Sequence, residues 1–533
     1  MTSISQYGYH SVLINQLALQ RQQMSDLTTQ ISTGLASQTF SGLGAGRSVA
    51  LQFQTQLDQA NTFLNTINNV NTTLSVVNTS IQGINTLATQ MQSNFSQQSY
   101  TLLSSGVTDQ QQAASNGLGQ MISILNSNVG GSYVFGGKSN QSAPVTDMDT
   151  IMNGTGLQAG FKQVTAERLQ ADQGISNATT GHTLGRLTVA TPTTNANAVS
   201  LTEDAGVFGW KIQGVTTSGT STAPALTQPT LPATTATVAA GTNTAQSATV
   251  DFSGGQPNAG DTVTINFLGP DGQSQAVTLT AATAPTSGST TPPAGTFYIG
   301  TTTAATAANF NSALQTSLNT EGQTDLVAAS AEAAGANFFN TYQGQSPMRV
   351  SPGSGGAHDF ADATSLVAGT AANTVQWYTG DQSATNPRND ATAQIDTQIS
   401  VNYGVRANEP GFAYQIQQLA IASAFDASSG SATTKATYLS LTNKIQANLS
   451  NPPTSDTISG IQTDLADAYA TANTAKSRLT TQAGTYQTMV SNVENADQTT
   501  VITSLATLQT QMQASYQASN ILLHMSLAQY ITG

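Results

Sequence analysis

Four histidines, His10, His182, His358 and His524, and no cysteine make up the imidazole and thiol inventory of this 533-residue chain. Acid–base or nucleophilic catalysis needs such groups set beside carboxylates or hydroxyls, and here they stand singly. His358-Asp359 lies in a Gly-rich stretch and reads as a loop pair. His10 and His524 fall on helical segments, where a hydrogen-bonded structural role is the default. Asp147 and Asp149 are spaced as a DxD that could ligate a cation, yet the further oxygen ligands of a calcium loop are missing. Gly42-Leu43-Gly44-Ala45-Gly46-Arg47 is only loosely like a phosphate loop, because no Gly-Lys-Ser/Thr follows and no strand precedes it. It reads as a hinge between helices. With no HExxH, GxSxG or P-loop lysine, the expectation is a protein that is not an enzyme and has no cofactor or metal.

Composition points the same way. The chain carries 14 basic and 27 acidic residues, a net charge of −13, and only 8% of its residues are charged, against roughly 25% in an ordinary soluble domain. Nucleic acid and anionic membrane are therefore excluded as partners, since both require clustered Lys and Arg. No apolar run approaches the roughly 18 residues of a membrane span. The start, MTSISQYGYHSVLINQ, lacks the basic and apolar regions of a secretory signal.

The elements that surround these sparse groups are clearer than the chemistry. Leu13, Leu17, Met24, Leu27 and Ile31 recur at helical-seam spacing, and Thr33-Gly34 then supplies a stop. After the glycines, Leu57, Ala60, Leu64, Ile67, Val70, Leu74, Val77, Ile81, Ile84, Ala88, Met91 and Phe95 step by about 3.5 residues, the period of a coiled coil. This predicts a rod of roughly 70 Å. The far end mirrors it: Ile458, Ile461, Leu465, Ala468, Ala472, Ala475 and Leu479, continued by Tyr486, Val490 and Val493, predict its partner. After a break at Asn495-Ala496-Asp497 comes a last helix with Leu505, Leu508, Met512, Tyr516, Leu522 and Met525. Between them, a helix over about Asp109 to Val129 leads into Ser132–Lys138, which reads as a strand entering a hairpin turn.

Residues 1–137 hold only five charges, Arg21, Asp26, Arg47, Asp58 and Asp109. Gln, Asn, Ser and Thr faces lose water at smaller cost than Glu and Lys faces, so these helices are suited to burial against other copies. In the middle, near residue 216, the composition turns to Thr, Ala, Gly and Pro. Alternation at 248–252, 262–267, 276–280 and 296–299 predicts strands, with Gly269-Pro270-Asp271-Gly272 turning the second into the third. A short helix over 304–319 places Phe310, Leu314 and Leu318 on one face.

Laid out in this order, the sequence resembles the flagellin family. The resemblance rests on Gln30-Ile31-Ser32-Thr33-Gly34 and the Gly-rich break, the rod to Phe95, and Tyr133-Val134-Phe135-Gly136-Gly137. It continues with Trp377-Tyr378-Thr379-Gly380-Asp381, Tyr403-Gly404-Val405-Arg406-Ala407-Asn408-Glu409, the Val493–Asp497 elbow and Leu508–Tyr516. It covers about 215 residues at the start and 190 at the finish. Alphaproteobacterial flagellins, which share traits with hook-associated protein 3, are the members it resembles most.

The resemblance implies an elongated α+β fold in which both termini form a long antiparallel coiled-coil or bundle core. Residues 1–45 and 495–533 would be the inner coiled coil, 46–215 and 345–494 the rod with β-hairpins, and 216–344 a surface-exposed β-rich outer domain. Leu13, Leu17, Met24, Leu27, Ile31, Leu505, Leu508, Met512, Tyr516 and Leu522 would make coiled-coil and inter-subunit contacts. Leu64, Ile67, Leu74, Val77, Ile81, Ile84, Ile461, Leu465 and Leu479 would form the rod core. The implied function is a filament subunit exported by the flagellar type III system to the cell exterior without a cleaved signal peptide. Its implied partners are other copies, hook-associated and cap proteins, and an export chaperone. The hook–filament junction protein is the alternative, favoured by the ending Ser526–Ile531; a secreted adhesin or surface-layer protein is a more distant one.

Overall fold

The computed structural model describes residues 3–174, 184–230, 244–285, 291–353, 359–452 and 457–531. The chain opens with α1 (Ser3–Thr33), a 3-10 segment over Phe40–Gly46, and α2 (Arg47–Ser96). Helix α1 stops where Gly34 takes φ +74 and its N–H reaches back to Gln30 O at 2.8 Å, a left-handed cap that a side chain would strain. Helix α3 (Asp109–Leu125) is started by a reciprocal capping box, Thr108 with Gln111. It leads to a short hairpin, β1 (Asn128–Val129) and β2 (Ser132–Tyr133), whose turn is Gly130-Gly131 itself, so the strand at Ser132 leaves a turn instead of entering one. Short α4 (Met148–Asn153) and α5 (Phe161–Gln173) follow.

The strands then begin. They are β3 (Leu187–Ala190), β4 (Ala198–Glu203), β5 (Lys211–Ser218), β6 (Ala225–Thr227), β7 (Ser247–Asp251), β8 (Thr262–Leu268), β9 (Ser274–Thr283) and β10 (Thr296–Ile299). One sheet has the order β3-β4-β7-β6 and the other β10-β9-β8-β5; only the β10–β9 pairing is parallel. The β8–β9 turn forms at Gly269–Gly272, as its Gly-Pro-Asp-Gly sequence predicts, with Gly269 N–H on Gln273 O. Alternation sends Val263, Ile265, Phe267, Val277 and Leu279 inward, where they meet Phe310, Leu314 and Leu318 of α6 (Thr303–Gln323). The first sheet strands lie upstream of residue 216, and β5 runs across that position.

Helix α7 (Asp325–Phe339) follows and packs against α5 and against α8 (Pro410–Ala424) and α9 (Ala432–Ser450). Between α7 and α8 lie two short strand pairs, β11 (Met348–Val350) with β12 (Leu366–Ala368), and β13 (Thr392–Asp396) with β14 (Ile399–Asn402). The chain ends in α10 (Ile458–Glu494) and α11 (Gln498–Ile531).

The chain divides into two compact units. The first is Met1–Asn71, Ala393–Val401 and Tyr469–Gly533; the second is Thr72–Thr392 and Asn402–Ala468. In the first, α1 packs along α11, and α2 meets α10 through the stacked rings of Phe53 and Tyr486. In the second, Gln462 of α10 bonds Asn78 of α2, so the two helices run antiparallel. The result is an α+β fold in which long helices from both ends pair and a β-sheet region is inserted between them.

Candidate functional site

In the first unit the terminal helices form the surface of interest. Helix α11 has 34 residues and no acid, lysine or arginine; α1 has only Arg21 and Asp26. Leu13, Leu17, Met24, Leu27 and Ile31 line α1 half-buried, facing buried Leu508 and Met512 and half-buried Leu505 of α11. Tyr516 is 42% exposed. Its hydroxyl accepts from Arg21 Nε and Nη2 at 3.2 and 3.0 Å, and this bond holds the phenol at the rim of the seam. Buried Val501 belongs to the seam as well. The side chain of Leu522 lies outside the described residues, as do those of His10, His182 and His358.

Both helices break at the same level. Ala36 N–H donates to Glu494 O at 2.7 Å and Ala496 N–H to Gly34 O at 2.8 Å, tying the two elbows together. The Asp497 carboxylate then caps α11, taking the Thr499 and Thr500 N–H groups at 3.0 and 3.3 Å. Bonds from the Thr500 side chain first, then the backbone N–H groups, hold that carboxyl below its usual range.

Away from the seam, apolar side chains face water. Val12, Ile14 and Leu19 of α1 are 63, 63 and 65% exposed, and Ile502 and Ile521 of α11 are 55 and 61% exposed. A groove of about 540 Å³ runs between the helices, lined by Gln23, Asp26, Gln30, Thr503, Ser504, Thr507 and Gln511 with Leu27 and Leu508. Amides and hydroxyls dominate it.

The rod positions are interior. Ile67, Leu74, Val77, Ile81, Ile84, Ile461, Leu465 and Leu479 are all buried, and Leu64 is half-buried.

In the second unit the three short motifs around residues 135, 379 and 406 converge. Ala407 N–H bonds Phe135 O and Asp381 N–H bonds Gly136 O, each at 2.9 Å. Arg406, fully buried, gives Nη2 to Asp390 Oδ1 at 2.8 Å and to Asp381 Oδ2 at 3.3 Å, and Nη1 to Ser383 O at 2.6 Å. Burial pushes Asp381 up, but the Ser383 bonds and the Arg406 charge outweigh it and hold the carboxyl below its usual range. Gly137, at φ +61, permits this approach: a Cβ there would stand 2.7 Å from Asp390 Oδ2. Beside it, Arg388 pairs with Glu409, whose Oε1 accepts the Arg406 N–H at 2.8 Å. These bonds hold loops together, as in a structural ion network.

The other chemical candidates are placed in structural roles. Asp147 caps α4, accepting the Thr150 N–H at 2.9 Å, and that bond lowers its pKa. Asp149 accepts from Asn153 within the same helix. The 42–46 glycines lie in the 3-10 segment before α2, and His524 is exposed. Among the described residues no cluster of three or more His, Cys, Asp or Glu could hold a metal, and no helix is long and apolar enough to cross a membrane. Sequence spacing gave no signal for two raised acids of the second unit: Glu321 beside Asp325, pushed up to about 8 by burial and then by Asp325, and Glu332 on α7. Compared with known protein families and with curated proteins, the chain matches none.

Proposed function

We propose that the protein is a structural subunit that polymerises into the bacterial flagellar filament and reaches the cell exterior through the flagellar type III export system. It acts through surfaces and does no catalysis. The observation that carries this reading is the terminal helix pair: two long helices, nearly free of charge, with Val12, Ile14, Leu19, Ile502 and Ile521 facing outward. Apolar faces of this kind are covered in a working protein, and a polymer of identical copies covers both with one repeated contact. The resemblance of the helix breaks and of the converging motifs to flagellins supplies the kind of polymer. Hook-associated proteins, the cap and an export chaperone are then its other partners.

The hook–filament junction protein remains the second reading, because Ser526–Ile531 resembles that protein's ending. Electron microscopy of the purified chain, seeded with sheared filaments or salted towards assembly, separates the readings. Long helical filaments are expected. Short rings or stubs would favour the junction protein, and particles that stay monomeric under every assembly condition would overturn the proposal.

A further inference from the structure

Helix α7 joins the sheet region to the helices of the second unit, and one side-chain pair fixes it to α8. Glu332 is 5% exposed and Gln418 fully buried. Gln418 Nε2 donates to Glu332 Oε2 at 2.7 Å. The two remaining oxygens, Glu332 Oε1 and Gln418 Oε1, are both out of solvent and both without a partner. Two bare acceptors buried in one pair are costly, and a single proton placed between them satisfies both.

The cation whose charge reaches Glu332, Lys444, is committed to another carboxylate. From α9, Lys444 gives its ammonium to Asp271 at 2.8 Å, and Asn448 is the other polar group facing Glu332. From α8 come buried Gln417 and half-buried Tyr414. On α5, which also packs against α7, Arg168 is committed to Asp172 and Glu167 to Arg349 of β11, while Lys162 is exposed. Asp325 and Glu321 share Gln275 of β9 at the start of α7.

We propose that Glu332 is a neutral carboxylic acid joined to Gln418 in a cyclic acid–amide pair, Nε2–H to Oε2 one way and Oε1–H to Oε1 the other, so that one proton clamps α7 to α8. Loss of that proton to solvent removes one bond and leaves a buried charge. Burial pushes Glu332 up to about 7, with the Gln418 bond acting in the opposite direction. Because the folded value lies above the ordinary glutamate value of 4.5, the stability that the protonated form confers is complete below 4.5 and is lost as pH rises through about 7.

Glu332→Gln tests this, since an amide–amide pair keeps both bonds without a titrating proton. Urea unfolding of the full chain is measured from about pH 5 to pH 8. The unfolding constant of the wild type should rise relative to E332Q by on the order of 50-fold across that range. Infrared spectra are compared in a Glu321→Gln background, which removes the other raised carboxyl; E321Q should show a protonated-carboxyl band near pH 5.5 that is absent once E332Q is added and fades above about pH 8. Parallel pH profiles for wild type and E332Q, or no such band in E321Q, would overturn the proposal. The infrared measurement stands even if E332Q does not fold.

Discussion

Asn71 Nδ2 donates to Asn473 Oδ1 at 3.0 Å across the seam between α2 and α10 in the first unit. Both side chains are half-buried, and Asn71 Oδ1 has no partner. Above and below them the seam is apolar: Ile67 and Val70 on α2, Ala472 and Ala475 on α10. An amide pair inside such a seam contributes little net energy and disfavours every register in which one amide faces an aliphatic side chain. A double-mutant cycle with Asn71→Ala and Asn473→Ala should therefore give a coupling of about 0.5–1.5 kcal/mol. Unfolding measurements showing no coupling would mean that the bond does not set the register.

Interior seam positions and outward positions should separate cleanly. Ile81 is fully buried and Leu74 is 3% exposed, so replacing either by Ala should cost about 2–4 kcal/mol in the unfolding free energy of the monomer. Ile14→Asn and Leu19→Asn, at sites 63 and 65% exposed, should change monomer stability by less than about 0.5 kcal/mol. The same two substitutions should abolish or slow polymerisation followed by light scattering. Normal assembly of both would show that the outer face of α1 is not a subunit contact.

Arg406 is the centre of the second unit's ion network, and its partner Asp390 has a fully buried side chain. Arg406→Ala leaves that carboxylate only the exposed Lys138 ammonium, 4.0 Å away, and should cost about 3–5 kcal/mol. Lys cannot reproduce the fork that holds Asp390, Asp381 and Ser383 at once, so Arg406→Lys should recover only part of the loss. The depressed carboxyl of Asp381 confers stability that is present above the ordinary aspartate value of 3.8 and lost as pH falls below it. Removal of Arg406 should therefore move the acid-unfolding midpoint to higher pH. An unchanged midpoint would assign the depression of Asp381 to the Ser383 bonds alone.

The long helices were legible because burial in a seam leaves a period in the sequence, from Leu57 to Phe95 and from Ile458 to Leu479. The strands at Val263–Phe267 and Val277–Leu279 were legible for the same reason at period two. Helix α7 was not: Asp325–Phe339 is Ala-rich and buried on several sides, so no single apolar stripe marks it as part of a helix cluster. Strands β3 to β5 begin the sheets about thirty residues earlier than the change of composition at 216, because that change follows Thr and Pro content and not pairing. Tyr516 has the spacing of a seam residue, but its hydroxyl finds Arg21 at the rim, a contact across 495 positions that no local pattern encodes. The knot at Arg406 was visible only as short motifs, since its acids come from separate loops.

The point at which the sheet region can be cut follows from one bond. Gln173, the last residue of α5, donates its amide to Gly322 O, near the end of α6, at 3.0 Å. The chain therefore leaves and re-enters the helical part of the second unit at nearly one place. Replacing residues 175–321 by a short Gly-Ser link should keep α5 and α7 packed, because their contacts with α8 and α9 remain. The loss of Val207 and Phe208, which pack with Val350, Phe360 and Leu366, should lower the melting temperature without removing cooperativity. Replacing residues 216–344 instead cuts β5 and deletes α7 with Phe338 and Phe339, whose rings pack on Phe161. That variant should unfold or aggregate. Circular dichroism melts of the two variants decide it: a cooperative transition in the second, or none in the first, would show that α7 is not what holds the helices of this unit together.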